Sequence, residues 1–192
     1  MLVPVAVITL PILTHQDQGL SNQGDPAASW PTSVEATGDD GRERTLSVVG
    51  ERDDAVETSA LVPGQRLIVR GAGFDASQGI YVAICVIPDD PATKPGPCVG
   101  GVPDQEQGAI DEGAVQYAAS NWINDDWAWK LFGARSYDDL SSGTFTAYIE
   151  VGDPIGDGLD CTVDNCGIFT RNDHTALSDR VQDLYVPVGF AS

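Results

Sequence analysis

The chain holds two histidines, His15 and His174, and only the second sits among residues that suggest chemistry. Asn172-Asp173-His174-Thr175 is followed by Ser178 and Asp179, so a base, a carboxylate and a hydroxyl fall within one short stretch. A nucleophilic triad needs these groups brought together with the aspartate buried and the serine exposed. Here all of them lie in one loop, where Asx and Thr side chains usually hydrogen-bond their own turn. No G-x-S-x-G elbow occurs. The stretch is read as a turn, and the protein as not an enzyme. A second cluster, Asp153, Asp157, Asp160 and Asp164, offers the hard oxygens that calcium takes. It lacks the alternation of an EF-hand loop and is read as an acidic turn, so neither a metal nor a cofactor is expected.

Four cysteines remain, spaced Cys85-x12-Cys98 and Cys161-x4-Cys166. The first gap is too wide for a zinc ligand pair. An immunoglobulin-type bridge, Cys85 to Cys161, would bring a Trp soon after the first cysteine and a Tyr two before the second. The next Trp is Trp122, and Leu159 stands at the Tyr position. Two local bridges, 85–98 and 161–166, are the expected pairing, and they imply an oxidising compartment outside the membrane.

These residues need a scaffold, and the pattern supplies strands. Residues 63–86 read as two strands around a glycine-punctuated bend, with Cys85 on the second. Further strands are expected at 45–49, 55–62, 144–151, 166–171 and 183–190, with turn residues between them. Many short strands of this kind give an all-β, Greek-key sandwich of about seven strands.

The run ALVPGQRLIVRGAGFDASQGIYVAIC, the Cys85/Cys98 pair and the closing LDCTVDNCGIFT…VPVGF resemble the neocarzinostatin family over about residues 56–190. That family comprises small secreted actinobacterial sandwiches of immunoglobulin-like topology with two local disulfides. The resemblance implies secretion and a non-enzymatic role. The chromophore site of the family's chromoproteins is not carried over, because an acidic, Pro-rich segment, 86–97, and a long insertion after Cys98 replace the expected sequence.

The insertion carries the densest aromatic run. Asn124 reads as an N-cap, Asp125 and Asp126 as first-turn acids, and Gly133 as a C-cap, giving one short helix. Trp127 and Leu131 share one face, expected to pack on the sandwich. Trp129 and Phe132 share another, expected to dock a partner, with Trp122 and Tyr137 flanking. Trp30 is a further partner-binding candidate.

The remaining segments concern location. Residues 1–13 hold an uncharged apolar run whose anchor candidates are Leu2, Val3, Val5, Val7, Ile8, Leu10, Ile12 and Leu13. The run is too short to span a bilayer. It reads as a signal or anchor remnant or a peripheral anchor; Pro4 and Pro11 count against an edge strand. Residues 14–44, rich in Gln, Gly, Asp, Ser and Pro, read as a flexible linker, and 45–192 as the folded domain. The formal charge of −19, from 29 acidic against 10 basic residues, argues against nucleic acid and anionic lipid surfaces. Two functions remain. One is an extracytoplasmic accessory module that is tethered by its N-terminus and docks on a membrane protein, for example the external face of an actinobacterial respiratory supercomplex. The other is an extracytoplasmic binding protein for an apolar small molecule.

Overall fold

The computed structural model describes residues 12, 15–24, 30–100, 115–156 and 158–191. Its strands are β1 (Ser33–Thr37), β2 (Glu43–Gly50), β3 (Arg66–Ala72), β4 (Ile80–Val86), β5 (Ser120–Ile123), β6 (Phe145–Glu150), β7 (Ile155–Gly156), β8 (Leu159–Asp160), β9 (Cys166–Asn172) and β10 (Tyr185–Val188). A one-turn helix, α1 (Trp127–Lys130), lies between β5 and β6. One antiparallel sheet has the order β1-β2-β3-β6 and the second β10-β9-β4-β5, while β7 and β8 form a small hairpin. The chain crosses between the sheets after β3, β5 and β6, which makes an immunoglobulin-like Greek key. Seven strands form its frame, and β1 is added at the edge beside β2.

Period-two alternation drives the assembly. In β2, Leu46 and Val48 point inward, and in β6 so do Phe145, Ala147 and Ile149. They meet Ile80, Val82, Ile84, Ile168 and Val186 of the second sheet in one core. Strands β4 and β9 are buried nearly throughout, because their outer face is covered as well. Ala83, Cys85, Cys98 and Phe169 form one outer cluster, and Tyr81, Trp122 and Ala134 another. Both expected disulfides are present, Cys85–Cys98 and Cys161–Cys166.

The segment 14–44 departs from the linker reading. Ser33–Thr37 pairs in full register with β2, from Ser33↔Ser47 to Thr37↔Glu43. Further back, Leu20 forms a parallel bridge with Arg180, and Asp39 N donates to Leu20 O at 2.9 Å. An edge strand buries only one side, so Ser-Val-Glu-Ala-Thr needs no apolar run to form one. Conversely, 55–62 is not a strand. The chain turns there, with Ala60 N donating to Glu57 O, and only Leu61 forms a bridge, to Phe190. Of the apolar N-terminal residues only Ile12 is described, and it is exposed. Leu2, Val3, Val5, Val7, Ile8, Leu10 and Leu13 lie outside the described residues. Among the described residues no helix is long and apolar enough to cross a membrane.

Candidate functional site

At one end of the sandwich the loops between β3 and β4, β5 and β6, and β9 and β10 meet at a buried carboxylate, Asp173. It is fully buried, and its Oδ2 accepts from Trp122 Nε1 at 2.8 Å and from Asn124 Nδ2 at 2.9 Å. Its Oδ1 accepts from the backbone N–H and hydroxyl of Thr175 at 2.8 and 2.6 Å. Gly79 lies so close that any Cβ there would collide with Asp173 Oδ2, so the carboxylate requires glycine at 79. Asp173 is therefore a structural hub. His174 does not bond to it; its Nδ1 lies 3.0 Å from the Tyr81 hydroxyl, and burial pushes that phenol up to about 12.

The helix α1 is fixed against this hub. Asn124 is not its N-cap, as expected from the sequence. Asp126 is, with its carboxylate accepting from Ala128 N at 3.0 Å, while Asn124 Oδ1 accepts from Asp126 N at 2.8 Å. The C-cap is Leu131, and Gly133 follows with φ of +89°. Asp125 ties the turn down by accepting from Lys130 Nζ and Tyr137 N, both at 2.8 Å.

The faces of α1 are the reverse of the expected ones. Trp129 packs inward, its ring 5.5 Å from Trp122 and 4.7 Å from His174. Trp127 and Leu131, which share a face as read from the sequence, point outward with 69% and 60% of their surface exposed. Phe132 is 45% exposed. A helix of one turn has no core stripe of its own, so the face that turns in is the one beside Trp122 and His174. Trp122 and Tyr137 are also withdrawn as docking residues because both are buried. The Tyr137 hydroxyl donates to Gln78 O at 3.0 Å, and burial raises its pKa well above the ordinary phenol value.

The N-terminal segment attaches at this same end. His15 Nε2 lies 2.7 Å from Asp179 Oδ2, and Arg180 N donates to Gly19 O at 3.2 Å. The β9–β10 loop thus holds both the α1 turn, through His174, and the point where the apolar run joins, through Asp179 and Arg180.

A second feature lies alongside β10. Here a cleft of about 760 Å³ is bounded by Trp30, Ile87, Phe169, Asp183, Tyr185 and neighbouring loop residues. Phe169 and Tyr185 stack at 4.7 Å. Trp30 is 52% exposed and packs over Gly189; its carbonyl accepts from Thr58 Oγ1 at 3.1 Å. No local pattern of residues signals this cleft, since Ser21, Gln23 and Trp30 reach it only because 15–24 and 30–32 run along the sandwich. Among the described residues no three metal-binding side chains converge. Asp160 is engaged by the backbone and hydroxyl of Thr162, and Asp157 lies outside the described residues.

No family model matches the chain. Over 137 residues it is 29% identical to a Corynebacterium glutamicum protein named Thiamine biosynthesis protein X, covering 71% of this chain and 62% of that protein. The chain thus spans less than two thirds of that relative's length.

Proposed function

We propose that the protein is a non-catalytic, extracytoplasmic interaction module that docks on a membrane-protein partner through the end of the sandwich carrying α1. The observation behind this reading is the placement of Trp127, Leu131 and Phe132. Three large apolar side chains stand exposed on a turn that is held rigidly from behind. Rigid aromatic side chains already in their bound geometry lose little entropy on association, and Trp is the residue that most often dominates interface energies. In sequence the trio lies between Asp125/Asp126 and Asp138/Asp139, with Asp125 already paired to Lys130, and the chain's net charge of −19 favours a partner with basic side chains at its rim. Residues 15–20 attach at this same end, through His15 and Asp179 and through the bridge of Leu20 to Arg180. The two local disulfides suit an oxidising compartment. With the sandwich, they also suit the neocarzinostatin-like resemblance and a cell-envelope location. The external face of an actinobacterial respiratory supercomplex is the example of such a partner carried into this proposal.

The test is native purification of the full chain from solubilised membranes, beside a Trp127→Ser/Leu131→Ser/Phe132→Ser variant. The variant is expected to keep its melting temperature and lose the co-purifying membrane complex. Retention of the complex by a folded variant would contradict the reading.

A second reading rests on the cleft, whose volume and stacked aromatic floor suit a small ligand. The relative's name refers to thiamine biosynthesis, which directs attention to heterocycles of that kind. Native mass spectrometry of the protein as isolated tests it: a bound small molecule supports this reading, and its consistent absence counts against it.

A further inference from the structure

We propose that the cleft beside β10 binds an aromatic cation, held by the faces of Trp30 and Tyr185 and by carboxylates at its floor and rim. This rests on the second reading above and names the class of ligand.

The charged side chains lining the cleft, among the described residues, are all carboxylates: Asp89, Asp164 and Asp183. Asp89 and Asp164 are exposed at the rim. Asp183 is only 6% exposed. Its Oδ2 accepts from Arg180 Nη1 at 2.8 Å, while its buried Oδ1 has no hydrogen-bond partner. A buried carboxylate oxygen without a donor is costly, and native structures rarely leave one without a reason. A cation seated in the cleft offsets the charge of this buried carboxylate across a short, poorly screened distance.

The aromatic faces select for the same charge. Ring quadrupoles attract cations, and aromatic cages recognise quaternary ammonium groups through this effect. Trp30 comes from the N-terminal segment and Tyr185 from β10. The side-chain amide of Gln23, bonded to the Tyr185 backbone, fixes the two segments beside each other. Pro88, Pro91, Pro95 and Pro187 stiffen the walls.

The cations near Asp183 set the limit of this attraction. Arg180 already pairs with Asp183. Arg171 donates to Pro95 O at 3.3 Å and lies over the Tyr81 ring, and Lys94 stands exposed on the neighbouring loop. These three oppose a ligand cation, whereas Asp89, Asp164, the nearby Asp179 and the overall charge of −19 favour it. Burial raises Asp183 to about 7, so near neutral pH it has a proton to lose. A cation therefore binds more tightly as pH rises through that value.

Three probes of nearly the same shape separate the possibilities: 1-methylnicotinamide, cationic; nicotinamide, neutral; and nicotinate, anionic. Each is titrated into the full chain and followed by NMR line shifts and Trp fluorescence. The cation is expected to bind roughly tenfold or more tightly than nicotinamide, and nicotinate not to bind. Its affinity is expected to rise from pH 6 to pH 8, and to fall several-fold in Trp30→Ala. Asp183→Asn is expected to abolish the pH dependence; should that variant fail to fold, the rim variant Asp89→Asn/Asp164→Asn is expected to lower the affinity for the cation alone. Equal binding of cation and neutral probe would overturn the proposal and leave the small-molecule reading standing. Binding of none of the three at millimolar concentration would also overturn the proposal, and the native mass spectrum of the isolated protein then decides the small-molecule reading separately.

Discussion

The side-chain amide of Gln23 pairs with the backbone of Tyr185 at two points: Nε2 donates to Tyr185 O and Oε1 accepts from Tyr185 N, both at 2.8 Å. One side chain thus does for β10 what a neighbouring strand would do, and closes an otherwise open sheet edge. The same device recurs where Asn121 bonds the N–H and C=O of Tyr148, each at 2.9 Å, at the edge of β6. In both places a carboxamide is required, because only that group donates and accepts in one plane.

Gln23→Ala is therefore expected to cost about 1–3 kcal/mol, the range for leaving partly buried donors and acceptors unpaired. Gln23→Glu keeps the acceptor and loses the donor, and should fall between the two. Denaturant melts check the energies. Hydrogen exchange at the Tyr185 amide, faster in Gln23→Ala, checks the site.

Asp173→Ala strips partners from Trp122 Nε1, Asn124 Nδ2 and Thr175 at once. The expected loss is upwards of about 2 kcal/mol, because several buried donors become unsatisfied together. Trp129 packs against both Trp122 and His174, so its emission should shift to the red. Unchanged stability and emission would show that Asp173 is not the hub of this end.

The disulfides close loops of different length, with sequence separations of 13 and 5. On the chain-entropy estimate the Cys85–Cys98 bridge contributes about 3 kcal/mol and Cys161–Cys166 about 2 kcal/mol. Paired Cys→Ala variants, melted separately, should rank in that order.

Asp183 makes stability depend on pH in an unusual direction. Its carboxyl is raised from an ordinary 3.8 to about 7, chiefly by burial, so between those values the folded state keeps a proton that the unfolded state releases. Stability contributed by this group is then greatest at the acid end of that window and declines as pH rises through it. Asp183→Asn should remove this decline whatever its effect on mean stability. Denaturant midpoints at pH 5 and pH 8 for both proteins measure it.

Much of the frame was legible because the physics is local. β3, β4, β6 and β9 carry continuous or alternating Val, Ile, Phe and Tyr, and the local disulfides followed from cysteine spacing. What escaped was set by distant partners. β1 has only Val34 and Ala36 to turn toward the core, and β5 is a four-residue strand whose Trp122 reads like a loop aromatic. The α1 turn was found, and so was the pairing of Trp127 with Leu131 on one face. Which face turned inward depended on Trp122 and His174, one on β5 and the other beyond β9. The cleft was invisible for the same reason, being assembled from segments as far apart as Trp30 and Asp183.

The most direct test of the docking end is site-specific photo-crosslinking in intact membranes. A benzophenone amino acid replaces Trp127 in one chain and Val163 in another; both positions are exposed, but Val163 lies in the β8–β9 loop at the opposite end of the sandwich. The probe at 127 is expected to link the chain to one integral membrane protein, the same one that co-purifies with the native chain, and the probe at 163 is not. Crosslinks to that protein from 163 alone, or none from 127, would contradict docking through the α1 end.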